Sequence, residues 1–65
     1  MPKPQKGKQM GSIIEREIFM NAYGDEAYLE EREDGFFYSI IDGVRKCHAF
    51  YELAYGYIHN HGYRE

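Results

Sequence analysis

The dipeptide Asp34-Gly35 constrains this chain more than any other feature. It stands directly before Phe36-Phe37-Tyr38-Ser39-Ile40-Ile41, a run rich in the aromatic and β-branched residues that suit a pleated, half-buried surface. Asp-Gly in this position signals a two-residue type I′ turn, because both central residues of that turn need positive φ. The turn predicts a hairpin joining residues 27–33 to residues 36–42. Its register would set Leu29 opposite Ile40, Tyr28 opposite Ile41, Glu31 opposite Tyr38 and Arg32 opposite Phe37.

The segment from Ser12 to Tyr23 has two readings. As a helix, Ser12 is an N-cap, Glu15 completes a capping box and Gly24 is a C′ residue. As a strand, it pairs with residues 27–33 across a Gly24-Asp25 turn. Met20 then faces Leu29, Ala22 faces Ala27, Glu17 faces Arg32 and Arg16 faces Glu33. Two opposite-charge pairs and two apolar pairs fall into register together, each contributing about 0.2–1 kcal/mol. This accounting favours the strand.

After Asp42-Gly43 the period changes from two to between three and four. Val44, Cys47, Tyr51, Ala54 and Ile58 form a stripe widened by Phe50 and Tyr57, which predicts an amphipathic helix. Asp42 would cap its start and Gly62 would end it. Gly56 costs such a helix about 1 kcal/mol against alanine and would admit a close approach to the sheet. The stripe also predicts a core position for Cys47, slow to react with thiol reagents.

The sum is an α+β fold, a three-stranded antiparallel meander packed on one C-terminal helix in the order βββα. The covered sheet face would offer Ile18, Met20, Ala22, Ala27, Leu29, Phe36, Tyr38 and Ile40. Residues 12–65 would form one small domain. Residues 1–11 carry both prolines and Lys3, Lys6 and Lys8 with no acid, and read as a disordered basic tail. The tail is net +3 and the remainder net −6, with five basic and eleven acidic residues.

Size and composition exclude several classes. A 65-residue chain has room for one small domain and little concave surface. No run of about 20 apolar residues could cross a membrane. No apolar stretch follows the N-terminal lysines, as a signal peptide would require. The one cysteine cannot form an internal disulfide and suits a reducing, cytoplasmic setting. Cys47-His48 and His59-x-His61 do not meet tetrahedral ligand geometry on one helix, so no metal or other cofactor is expected. Neighbouring Cys47 and His48 lack the geometry of a nucleophile–base pair, and no phosphate loop is present. An enzyme is therefore not expected.

A single helix covers one face of such a sheet and leaves the other open. In the predicted register that outer face shows Phe19, Tyr28, Arg32, Phe37 and Ile41, a cluster large enough to suggest a protein contact. The chain thus reads as a small non-enzymatic protein-interaction module whose acids would favour a basic partner or a charge-matched copy of the same chain, a homodimer. The alternative is a nucleic-acid-binding accessory domain using the basic tail and the sheet aromatics. Acidic residues among those aromatics would repel phosphates, which makes nucleic acid the weaker partner.

Overall fold

The computed structural model describes residues 11–65. The tail expected over residues 1–11 therefore lies outside the described residues, apart from Gly11. The elements run β1 (Ile13–Met20), β2 (Glu26–Arg32), β3 (Phe37–Ile41), β4 (Val44–His48) and α1 (Tyr51–Asn60). The strands form one antiparallel sheet in the order β1-β2-β3-β4, and α1 packs against β3, β2 and β4. The α+β class and the C-terminal helix hold. The sheet has four strands rather than three.

The fourth strand comes from Asp42-Gly43. Both residues have positive φ, 53° and 77°, and Ile41 pairs directly with Val44 across them. They form the two-residue hairpin turn that type I′ geometry demands. Asp42 is thus a turn residue and not a helix cap. Val44 and Cys47 lie on β4, so their helical spacing with Tyr51 is coincidental. The helix starts seven residues later, with Phe50 as its N-cap and no side chain capping it.

Asp34-Gly35 does reverse the chain between β2 and β3, but with another geometry. Arg32 N–H donates to Phe36 O (3.2 Å) and Gly35 N–H donates to Arg32 O (3.0 Å). Gly35 has φ 89° and Asp34 does not have positive φ. This is a three-residue loop whose last residue is a left-handed glycine bulge. The first hairpin repeats it: Asn21 N–H donates to Asp25 O, Gly24 N–H donates to Asn21 O, and Gly24 has φ 88°. Asn21 Oδ1 accepts the Tyr23 and Asp25 N–H groups, which braces that loop.

Each loop thus differs from the expected turn, and the registers move with it. Leu29 faces Glu17 instead of Met20, and Ser39 instead of Ile40. Both slips are odd, so every side chain of β1 and β3 changes face. Three cross-strand rows now lie under the helix. They are Phe19-Ala27-Ile41-Val44, Glu17-Leu29-Ser39-Lys46 and Glu15-Glu31-Phe37-His48. Phe19, Ala27, Leu29, Ile41, Ala54, Ile58 and Tyr63 make the buried cluster, with Phe37, Tyr55 and Tyr57 packed against it.

The helix is held at both ends of its packing face. Phe19 meets the edges of Tyr55 and His59, with centroids 5.6 and 6.4 Å away, and Phe37 meets Tyr51 at 5.9 Å. Gly62, at φ 90°, ends α1 as its position suggests: Gly62 N–H donates to His59 O and Tyr63 N–H to Ile58 O. This is a Schellman closure, and the apolar contact that accompanies it is between Tyr63 and Ile58. The chain then returns to the sheet, where Arg64 and Met20 exchange both backbone hydrogen bonds. Gly56 stays within α1, but a Cβ there would meet nothing within 4 Å, so it permits no close approach to the sheet. Among the described residues no helix is long and apolar enough to cross a membrane.

Candidate interaction surface

Alternation along the strands leaves one sheet face uncovered. Its rows are Ile18-Tyr28-Ile40-Arg45 and Arg16-Glu30-Tyr38-Cys47, flanked by Met20 with Glu26 and by Ile13 with Arg32. Ile14 is the extra residue where the β1 register shifts. Ile14, Ile18 and Met20 are 57%, 54% and 48% exposed, and Tyr28 and Ile40 are half-buried beside them. Grouped apolar exposure of this kind is what distinguishes a contact surface from scattered single residues.

A charged cluster borders the apolar residues. Arg16 Nε and Nη2 donate to Glu30 Oε2 at 3.1 and 2.9 Å. Arg32 Nε and Nη2 donate to Glu30 Oε1 at 3.2 and 2.7 Å. Glu30 itself is only 4% exposed. Burial alone would raise the Glu30 pKa, but hydrogen bonds and charge from Arg32 and Arg16 outweigh it and hold the carboxyl below its ordinary value. Arg16 also lies over the Tyr28 ring, 5.4 Å from its centroid. Tyr28 OH donates to Glu26 (2.8 Å), which raises the phenol pKa. Tyr38 OH donates to Asp34, and that bond raises its pKa in the same way.

Of the residues expected on this face, Tyr28 and Arg32 are there. Phe19, Phe37 and Ile41 are not: Phe19 is fully buried, Ile41 is 8% exposed and Phe37 packs on the core. Ile18, Met20, Tyr38 and Ile40, expected beneath the helix, line the outer face instead. Cys47 is exposed on that face rather than buried, because β4 turns its odd-numbered positions away from α1. The turn chemistry of both loops was the available signal. A glycine third in a three-residue loop allows the bulge that sets this parity.

The acids are distributed differently from the expectation. Glu15, Glu17 and Glu31 lie on the helix side, around a cleft floored by Leu29, Phe37 and Tyr51. Tyr51 OH donates to Glu17 Oε1 at 2.7 Å, and burial together with that bond raises the tyrosine pKa. The outer face instead carries Arg16, Arg32 and Arg45 against Glu26 and Glu30. Acids therefore do not select a basic partner for this face.

The thiol and the imidazoles are separated. Cys47 and His48 point to opposite faces of β4, His59 stacks on Tyr55 at 4.5 Å, and His61 Nδ1 is 2.8 Å from Tyr57 O. No group of three metal-binding side chains occurs among the described residues. No family model, curated protein or solved structure matches this chain.

Proposed function

We propose that residues 12–65 form a non-enzymatic protein-interaction module that pairs with a second copy of the same chain through its outer sheet face. The observation that carries this reading is the exposure of Ile18 and Met20 on one face beside Tyr28 and Ile40, with exposed Ile14 at the nearby register shift. Burying such side chains removes apolar area from water at about 25 cal/mol per Å².

Two features favour a copy of the chain as the occupant. The first is charge. Arg16 and Arg32 share Glu30, and with Arg45 and Glu26 the face carries three arginines against two acids, so both signs are present and the net charge is only +1. A two-fold contact uses each pairing of opposite signs twice. The second is size. The buried cluster has seven residues and two are alanines. Below about 70–80 residues a core of this kind commonly needs a disulfide, a metal or oligomerisation to be stable. The exposed free thiol of Cys47 fits a reducing cytoplasm.

The test is sedimentation equilibrium across a wide concentration range, with thermal unfolding at each end. The parent chain should be dimeric, with a melting temperature that rises with concentration. Ile18→Ser combined with Ile40→Ser should stay folded by circular dichroism at low temperature, melt below the parent and give a monomer. A parent that stays monomeric throughout, or a double variant that dimerises as before, refutes the reading. The presence of three arginines on the same face as Tyr28 favours one second reading, a nucleic-acid accessory domain. Binding to single-stranded nucleic acid that weakens steeply with salt would support it.

A further inference from the structure

On the sheet face beneath α1, a buried hydrogen bond joins the side chains of β3 and β4. Ser39 Oγ and His48 Nε2 are 2.9 Å apart. Ser39 is fully buried and His48 is 8% exposed. The two come from neighbouring strands, and the Tyr57 ring of α1 lies 5.2 Å from the imidazole. We propose that this Ser39–His48 pair is a proton-sensitive latch, and that protonating His48 loosens α1 from β4.

Among the described residues no carboxylate touches the imidazole to supply a counter-charge. From β3, His48 is faced by Ser39 and by its cross-strand partner Phe37, neither of which is ionisable in this range. From β4 itself, Lys46 lies two residues away on the same face and adds positive charge. From α1, the groove beside His48 is lined by Glu52, Leu53, Gly56, Tyr57 and Asn60. Glu52 is the one acid there, and among the described residues no carboxylate is in ion-pair contact with His48. The Tyr57 ring already has the Lys46 ammonium 5.5 Å from its centroid and the His61 ring 4.3 Å away. It is therefore already engaged by one cation.

A neutral imidazole can accept the serine proton at Nε2. An imidazolium carries a proton on both nitrogens and can only donate. Protonation would then turn the Ser39 hydroxyl from donor to acceptor, leaving its own proton to find a partner at a site closed to water. Both that loss and the unpaired charge disfavour the closed arrangement. Burial first, and Lys46 second, hold the His48 pKa below its ordinary value. The unfolded chain thus binds the proton more readily than the native one. The latch is fully closed above the ordinary value of 6.5 and weakens as pH falls below it. If native His48 stayed neutral, the unfolding constant would rise about 30-fold between neutral pH and pH 5.

The experiment is urea unfolding at pH 7.5 and pH 5.0, at one protein concentration, for the parent, His48→Gln and the double variant His59→Gln with His61→Gln. Glutamine keeps an amide for Ser39 and does not titrate. The parent and the double variant should lose stability at pH 5.0 by up to that factor, and His48→Gln by clearly less. An unchanged pH dependence in His48→Gln overturns the proposal, as does a parent whose stability is the same at both values. Should His48→Gln fail to fold, an NMR titration of the parent imidazoles decides. A His48 midpoint below 6.5, with α1 amide protection falling on the same curve, supports the latch. A midpoint at or above 6.5 overturns it.

Discussion

Phe19 and Ile18 are neighbours in β1 and face opposite sides of the sheet, so truncating each in turn tests the register directly. Phe19 is fully buried, and its ring touches Tyr55 and His59 edge-on. Phe19→Ala removes that ring from a site walled by sheet and helix, which costs about 3–5 kcal/mol. A domain of this length has about 3–10 kcal/mol in total. The variant should therefore be largely unfolded, or unfold at the lowest urea concentrations. Ile18 is 54% exposed and pairs with Tyr28 on the outer face. Ile18→Ala should stay within about 0.5–1 kcal/mol of the parent, the range of surface and strand-propensity effects. Urea titrations followed by far-UV circular dichroism, run dilute enough to keep both chains monomeric, give the two differences. If Ile18→Ala costs as much as Phe19→Ala, the parity of β1 is wrong, and the three-residue loop at Ala22–Gly24 with it.

Two further outcomes follow from the turns and the ion cluster. Gly43→Val places a β-branched residue at φ 77° with open space around its Cβ, so strain acts without a clash. It should cost about 1–2 kcal/mol, read as a fall in melting temperature of roughly 5–15 °C. Glu30→Gln strips the shared carboxylate from two guanidiniums and should cost about 1–3 kcal/mol by urea unfolding, since hydrogen bonds to buried charged groups are among the stronger ones. Because Glu30 has a depressed native pKa, its contribution is present above the ordinary value of 4.5 and lost as pH falls through the native one. The parent should therefore lose stability with acid below pH 4.5, and Glu30→Gln should lose less.

Local chemistry made the element order largely readable from the sequence. The strand after Asp34-Gly35, the reversal there and the Gly62 helix stop all act over a few residues and are all present, although the strand is Phe37–Ile41 and the reversal is a three-residue loop. Cross-strand pairing also favours a strand over Ser12–Tyr23, and Ile13–Met20 is one, but the expected charge pairs do not form: Glu17 faces Leu29 and Arg16 faces Glu30. The fourth strand was signalled too, by Asp42-Gly43. Yet Val44, Cys47 and Tyr51 matched helical spacing equally well, and periodicity over so short a stretch cannot separate the two.

Which face each strand buries was decided only in three dimensions. A side chain alternates with a period of two, so one extra loop residue moves a whole strand's set to the other side. The sequence Asn21-Ala22-Tyr23-Gly24-Asp25 is compatible with a two-residue or a three-residue reversal. The choice depends on which faces the helix can pack. Burying Phe19, Ile41 and Ala27 under Ala54 and Ile58 builds a core with aromatic edges from Tyr55 and His59. The same choice sends Ile18, Met20 and Ile40 outward and gathers Arg16, Glu30 and Arg32 beside them. The composition of the outer sheet face is therefore a product of tertiary packing. Its residues differ from those named by alternation because alternation fixes the period of a strand but leaves its phase to the packing.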